Sequence, residues 1–532
     1  MKLSLSLSMP LLFSGWTYMA SGVVTCPGGG VCPNANTCCG GVDGDNDNKN
    51  GSQPSASFFH GSSCITGKPE DPPGACCSSG GGACGGYYNC KSMPKSKSTE
   101  FVCERKPEYS DLPEVGPRIL PRLKPCHLEP SALENVYGLP IKKKDDDNDA
   151  MWMAPYYSTI PLERLSDDEQ SHRIKTVVIS VHGSRGNADD YLCCTNSALP
   201  HEDQNPAKSS ILLLSPWFAG PKDGPISLAN TSATNASVLY WRYYAAPMPN
   251  WLPFSFRYGA DSINGSVSSF TVLDTLLDVI LALKLPHLKR IVLTGHSAGG
   301  QYTQRWALLS NHSLLTQYED WVSSSRAATE AKPLPSLRVV VANPKSYCYL
   351  DPRRYQQDSQ SFQIPSRWEF LMCPLYNEWT WGLDNTSHSL PTPYKTQALH
   401  DVGGIAGLVH RFKYRPVVYL SGHMDVLPNG QCMDHIQGPN RRERSRRYYS
   451  YLQNAIYTNE TRGGKPVHHR VEVPMVHHDH CLLYQSPKGQ LALFGNNLDP
   501  RGGGRGETGK EQATQHLRSH VRSRRFDQYE HR

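Results

Sequence analysis

The sequence has little with which to cross a membrane or to grip nucleic acid. Beyond its first residues, no stretch of the 532-residue chain reaches the roughly 20 uninterrupted apolar residues that a spanning helix needs. The longest candidate, Thr271 to Leu285, is broken by Asp274 and Asp278. Charge of one sign is also scarce: 54 Lys and Arg against 48 Asp and Glu leave a net +6. Much of that excess sits in the tail, at Arg501, Arg505, Arg518, Arg522, Arg524 and Arg525. No basic stripe is interleaved with aromatic residues, so nucleic acid is not an expected partner. No HExxH, no regular cysteine–histidine spacing and no internal repeat occurs.

Large aliphatic residues are thin between Cys26 and Cys103, where ten of the 17 cysteines fall. A small segment with so little core needs cross-links, and these persist in an oxidising compartment. The amino terminus agrees. Lys2 supplies a positive start, Leu3 to Trp16 a short apolar stretch, and Ala20-Ser21-Gly22 a small-residue cleavage site, so the mature chain is expected to begin near Val23. Sequons at Asn50, Asn230, Asn235, Asn264, Asn311, Asn385 and Asn459 add glycan acceptors. Secretion, or residence in the secretory lumen, is the expectation, with no membrane span.

Composition divides the chain into a signal segment (1–22), a Cys-rich module (23–105), a Pro- and charge-rich linker (106–150), a long region able to form a core (151–498) and a basic tail (499–532) expected to be disordered. In the long region, Thr176 to Val181, Ile211 to Leu214, Ile291 to Thr294, Leu337 to Ala342, Val417 to Leu420 and Val471 to Val476 are short continuous apolar runs. Such runs suit strands buried on both faces of a mostly parallel sheet. Between them, Ser268-Ser269 caps a helical repeat of Val272, Leu273, Leu276, Leu277 and Ile280. Strand–helix alternation over about 350 residues predicts an α/β architecture with helices on both faces of the sheet.

The chemistry centres on Gly295-His296-Ser297-Ala298-Gly299-Gly300. Gly-x-Ser-x-Gly is weak evidence in a chain with 44 glycines. Its place between a strand and a helix is what a nucleophilic serine requires: a sharp turn, small neighbours, and helix N–H groups aimed at the developing oxyanion. Ala298 N–H is the first expected oxyanion donor. Ser184 N–H, in the loop His182 to Asn187, is the second, with Gly183 and Arg185 as alternatives. A serine also needs a base held by an acid; in a strand–turn–helix architecture of this kind the chain order is Ser, acid, His. Asp425, after the run Val417 to Leu420, is the expected acid, with Asp351 as an alternative. His478 is the expected base, with His480 and then His477 behind it. A metal site from His477, His478, His480 and His423 is the competing use of these imidazoles, and no metal or organic cofactor is expected.

These residues resemble the α/β-hydrolase superfamily, over 151–498. They are most similar to a branch carrying His182-Gly183-Ser184…Asn187-Ala188-Asp189-Asp190-Tyr191 and Gly295 to Gln301 motifs, with Asn343-Pro344-Lys345-Ser346-Tyr347, Gln437-Gly438-Pro439-Asn440-Arg441 and Val473 to His480 in the same pattern. The first loop also looks like that of polyester depolymerases and of feruloyl or acetyl esterases. The resemblance implies ester hydrolysis through an acyl-enzyme. One departure is His477, where the branch usually has glycine. The opening cysteine spacing, Cys26, Cys32, Cys38-Cys39, is similar to the granulin module, while the later single cysteines depart from it. The module's expected role is to bind a cell-wall or other extracellular ligand, or only to act as a stapled spacer. Cys126, Cys193 and Cys194 are candidates for structural bridges, and the odd total leaves at least one thiol over. An inactive hydrolase domain in an interaction protein, or acyl transfer to an acceptor other than water, are the competing functions. The ester itself is not legible. The Trp and Tyr content of 217–265 and 374–410 suggests apolar or sugar-facing pocket walls.

Overall fold

The computed structural model describes residues 126–495, apart from 127, 143–150, 166–168, 231–236, 243–254, 324–333, 385–391, 429 and 458–466, together with six short strands between residues 24 and 105. The expected signal segment, the glycine-rich runs of the module and the basic tail lie outside the described residues. The chain divides into two compact units, one of residues 1–119 with 475–479, the other of residues 120–474 with 480–532. In the first unit the strands form three antiparallel pairs: Val24–Thr25 with Val31–Cys32, Thr37–Cys38 with Cys64–Ile65, and Tyr88–Ser92 with Phe101–Arg105.

The second unit is built on a nine-stranded sheet. Its strands are β1 (Tyr137–Lys142), β2 (Met151–Ser158), β3 (Thr176–Val181), β4 (Ile211–Pro216), β5 (Ser237–Val238), β6 (Arg290–His296), β7 (Ser336–Ala342), β8 (Val417–Gly422) and β9 (His469–Val473). Their order is β5-β2-β4-β3-β6-β7-β8-β9, with β1 also paired to β2. From β4 to β9 every neighbouring pair is parallel, whereas β2 runs antiparallel to β4. The unit's helices include α1 (Ala188–Ala198), α2 (Ser269–Ala282), α3 (Ala298–Leu309), α4 (Arg367–Met372), α5 (Arg441–Tyr451), α6 (His480–Gln485) and α7 (Pro487–Phe494). This is the α/β-hydrolase fold.

The physical cause is the one read from composition. Val177, Val178, Ile179, Ile291, Val292, Leu293, Val339, Val340, Val341, Val417 and Leu420 are all buried, as strands covered on both faces by helices must be. Helix α2 starts where Ser268 Oγ accepts the Phe270 N–H at 3.2 Å, a cap worth about 1 kcal/mol. It buries Phe270, Val272, Leu273, Leu276, Leu277 and Ile280.

Four elements depart from expectation. The last strand is His469–Val473 rather than Val471 to Val476, because Pro474 has no N–H to continue the ladder. β1 forms within the Pro- and charge-rich stretch, where Leu139 and Ile141 bury against the core. β2 and β5 also join the sheet at its antiparallel end, where no long apolar run marks them. Bridges join Cys126 to Cys193, Cys194 to Cys481 and Cys373 to Cys432. Cys348, buried among the described residues, is a free thiol. Among the described residues, no helix is long and apolar enough to cross a membrane.

Candidate active site

The chain reaches β4 from β3, then returns to lay β6 on the other side of β3. At such a reversal of winding, the loops leaving the carboxyl ends of the two strands splay apart and leave a crevice. The loop 182–187 leaves β3 there, and Ser297 leaves β6.

Ser297 has φ 58° and ψ −114°, a conformation that costs a non-glycine residue on the order of 1–3 kcal/mol. It is held by two backbone bonds, Ser297 N–H to Ala342 O and Gln301 N–H to Ser297 O, each 3.0 Å. The neighbouring glycines are needed for space. A Cβ on Gly299 would lie 2.2 Å from Val181 O, one on Gly300 2.4 Å from Ala342 O, and one on Gly295 2.4 Å from Gly299 O. The turn is therefore pressed against both flanking strands. Ser297 is half-buried and occupies the cap position of α3, yet its hydroxyl does not cap the helix. The helical ladder begins with the Gln301 bond, so the N–H groups of Ala298, Gly299 and Gly300 stand outside it at the positive end of the helix.

The first loop comes close to this turn. A Cβ on Gly183 would lie 3.8 Å from Ser297 Cβ and 3.8 Å from His296 O. Ser184 follows, half-buried, in a turn closed by Gly186 N–H to Gly183 O at 3.4 Å. Gly186 takes φ 78°, which favours glycine. His182 anchors the loop from below. Its Nε2 accepts the Phe218 N–H at 3.0 Å and its Nδ1 lies 2.7 Å from Gly183 O. Since Nε2 accepts, the proton belongs on Nδ1, which donates to that carbonyl. Burial pushes the imidazole down to about 4, so it is neutral.

Asp425 stands three residues past β8 and is buried. Its Oδ1 is 3.4 Å from Arg441 Nη1, and its carbonyl accepts the Arg442 N–H at 3.1 Å, so the start of α5 holds it from behind. A residue quoted above only as part of a turn joins the nucleophile's strand end to the acid's. Asn343 ends β7 with φ 39°; its Oδ1 accepts the Gly422 N–H at 2.9 Å, and its Nδ2 lies 3.4 Å from His296 Nε2. The sole sequence signal was an asparagine at a strand end, the residue type that tolerates a left-handed turn.

The alternatives separate. Asp351 is turned to Arg353, whose Nε donates to Oδ2 at 2.7 Å and whose backbone N–H donates to Oδ1 at 2.9 Å. His480 opens α6 and stacks on Tyr191 with ring centroids 4.0 Å apart. Its Nε2 is 3.1 Å from Asp190 Oδ2, a hydrogen bond that holds the Asp190 carboxyl below its usual range. His423 pairs with Glu472. Burial would raise that carboxyl, but hydrogen bonds from Arg446, Arg470 and His423 hold it well below the carboxylate range. Donor atoms of Asp190, Cys194, His480 and Cys481 lie within 4.8 Å of one another. Both sulfurs there are in a disulfide, which leaves no thiolate to ligate a metal. His478 lies five residues beyond β9, half-buried, in the segment 475–479 that groups with the first unit. The structure thus brings Ser297, Ala298 and the Ser184 loop together and ties the Asp425 strand end to them through Asn343.

Among the described residues of 217–265 and 374–410, several aromatics are core rather than pocket wall. Phe218, Trp241 and Trp379 belong to the main hydrophobic cluster, and Tyr376 and Trp381 to a smaller one with Met433.

No family model matches the chain, and no curated protein does. Among solved structures, it is similar to a poly(3-hydroxybutyrate) depolymerase from Bordetella parapertussis at 18% identity and TM-score 0.40, covering 72% of this chain and 97% of that one. It is also similar to a poly(aspartic acid) hydrolase from Sphingomonas sp. KT-1, at 16% identity and TM-score 0.34 over 66% and 96% of the two chains. A siderophore hydrolase from Aspergillus nidulans is similar at 14% identity and TM-score 0.27 over 65% and 89%.

Proposed function

We propose that this chain is a secreted serine hydrolase that cleaves carboxylic esters through an acyl-enzyme. The observation that carries the reading is the strained turn at Ser297, with a hydroxyl not spent on capping and the Gly183 loop against it. Strain of this kind persists where the surroundings enforce it, and no packing need explains a serine there.

In this reading Ser297 Oγ attacks the ester carbonyl while His478 takes its proton. Asp425 holds the imidazole in the tautomer that can accept it. The tetrahedral oxyanion lies between the N–H groups of Ala298 and Ser184, each such donor being worth roughly 2.7–4 kcal/mol of barrier. Collapse expels the alcohol, which takes the proton back from His478. Water then repeats the sequence on the acyl-enzyme and releases the acid. The cysteine-rich module, granulin-like in its opening spacing, would hold an extracellular ligand. The three bridges of the second unit are compatible with an extracellular setting.

A serine-reactive fluorophosphonate probe tests the reading on the purified full chain. Wild type is expected to label and Ser297→Ala not to label, with both showing the same thermal midpoint. Absent labelling of folded wild type, or labelling that survives Ser297→Ala, overturns it. Asp425→Asn should lower kcat by roughly 10⁴-fold, and His478→Ala by roughly 10⁶-fold, on whichever ester of an aryl, feruloyl, acetyl-sugar and polyester panel is turned over.

A further inference from the structure

Of the three bridges in the second unit, one stands among other side chains that can hold a metal. Around Cys194–Cys481, the donor atoms of Asp190, Cys194, His480 and Cys481 all lie within 4.8 Å of one another. Among the described residues, neither Cys126–Cys193 nor Cys373–Cys432 gathers such a set. A staple needs two sulfurs and nothing more, so the carboxylate and the imidazole beside this one serve no part in the cross-link.

The spacing is close to that of a tetrahedral zinc centre. Zinc holds sulfur at about 2.3 Å and nitrogen or oxygen at about 2.0–2.2 Å, so its ligand atoms stand about 3.3–3.8 Å apart. Here His480 Nε2 is 3.1 Å from Asp190 Oδ2 and 3.6 Å from Cys481 Sγ, and Cys194 Sγ is 3.7 Å from Asp190 Oδ1. The two sulfurs, bonded to each other, are the pair that must separate. Asp190 and Cys194 are four residues apart on α1 and share one face of it, while His480 and Cys481 open α6. Both polar ligands are already oriented: Asn187 Nδ2 donates to Asp190 Oδ2 at 2.8 Å, and Tyr191 stacks on the His480 ring. The cluster is open on the acid's side, where the Asp190 side chain is 47% exposed.

We propose that Asp190, Cys194, His480 and Cys481 form a redox-gated zinc site, a disulfide bridge when oxidised and a four-ligand zinc centre when reduced. A dithiol supplies the two electrons: it becomes a disulfide, the Cys194–Cys481 bond breaks, and each sulfur receives one hydrogen. Zinc then takes both sulfurs as thiolates and releases their two protons to water. The Asp190 carboxylate is the third ligand. His480 Nε2 gives its lone pair as the fourth, with the ring proton on Nδ1. Two thiolates and an imidazole suit zinc, whereas magnesium and calcium take oxygen ligands. In either state α1, which follows the Gly183 loop, stays joined to α6, which opens two residues after His478. A reducing partner can then cut the bridge without parting the two helices. The site does not rest on the reading of Ser297 as a nucleophile.

The test uses the full chain, reduced with a dithiol that is then removed, supplied with zinc chloride and treated with N-ethylmaleimide. Peptide mass mapping locates each adduct, which separates these two sulfurs from every other thiol of the chain. Zinc is expected to slow alkylation of Cys194 and Cys481 together by at least roughly tenfold, and to leave Cys373 and Cys432 unprotected. Asp190→Asn with His480→Gln keeps both sulfurs, and its oxidised form should melt within about 2 °C of wild type. Its reduced form should lose the protection. Wild type alkylated equally fast with and without zinc overturns the proposal, whether the reduced chain keeps its fold or not. Protection that survives the double variant also overturns it, since the thiolates alone would then account for the metal. Cys194→Ser gives an independent check: one ligand short, with no bridge to reduce, it should leave Cys481 unprotected, and protection there overturns the site. None of these outcomes depends on whether Ser297 reacts with the fluorophosphonate.

Discussion

Helices α3 and α4 invert the usual relation between polarity and burial. Every residue of α3 is buried, including Gln301, Thr303, Gln304 and Arg305, while α4 carries Trp, Phe, Leu and Met and buries nothing. The polar residues of α3 are tolerated because each has partners. Gln301 donates to Ser346 Oγ at 2.8 Å, Gln304 to the Tyr448 hydroxyl at 3.0 Å, and Arg305 reaches Thr380 O with Nε at 3.1 Å and Nη2 at 3.0 Å. These bonds orient the helix that carries the nucleophile, which apolar contacts alone would do less sharply. The apolar residues of α4 have no such compensation: they stand exposed on the surface. Buried polarity here marks positioning, while the fold places no weight on the exposed apolar helix.

The largest test of that contrast is acid. His182, just past the central strand β3, and His468, just before the edge strand β9, are buried, and burial lowers both to about 4 from an ordinary 6.5. Each is neutral in the folded chain, and the unfolded chain takes up the proton first as pH falls. Stability is therefore fully present above pH 6.5 and is lost as pH drops towards 4. The slope approaches roughly 1.4 kcal/mol per pH unit for each imidazole. Denaturant midpoints between pH 7 and 4.5 measure it, and a flat profile would show that the buried polar side is not tuned as described. Next in size is Gly299→Ala, whose new Cβ would meet Val181 O; unfolding free energy should fall by about 3 kcal/mol. An unchanged value would mean that the turn is not pressed against β3. Ser297→Gly should go the other way, gaining about 1 kcal/mol by releasing the strained backbone while abolishing probe labelling. The smallest effect belongs to α4: Leu371→Ser should move stability by less than about 0.5 kcal/mol, since that side chain is mostly exposed.

Much of this was legible because it is local. Continuous Val, Ile and Leu runs mark strands covered on both faces, Ser268 marks a cap, and Gly-x-Ser-x-Gly between strand and helix marks the turn at Ser297. The apolar run to Val476 overshoots the end of β9, for which Pro474 is the sequence signal. Composition cannot distinguish an aromatic in the core from one on a surface, so the Trp and Tyr content of 217–265 and 374–410 does not reveal that Trp241, Trp379 and Trp381 are core. Asn343 showed its residue type but not its role, since both of its side-chain partners, His296 and Gly422, lie far away in the chain.

The local features were thus set by residue order alone: which segments become strands, where a helix is capped, which serine sits among glycines. Tertiary structure decided the adjacencies. β4 intervenes in the chain between β3 and β6, yet β3 and β6 are neighbours in the sheet. That pairing brings Gly183 to Ser297, while Cys194 finds Cys481 across 287 residues. The reason is physical. Backbone propensity and periodicity act over a few residues, whereas strand order, cross-links and burial come from hydrogen bonds and apolar contacts between distant segments, formed only when the whole sheet assembles.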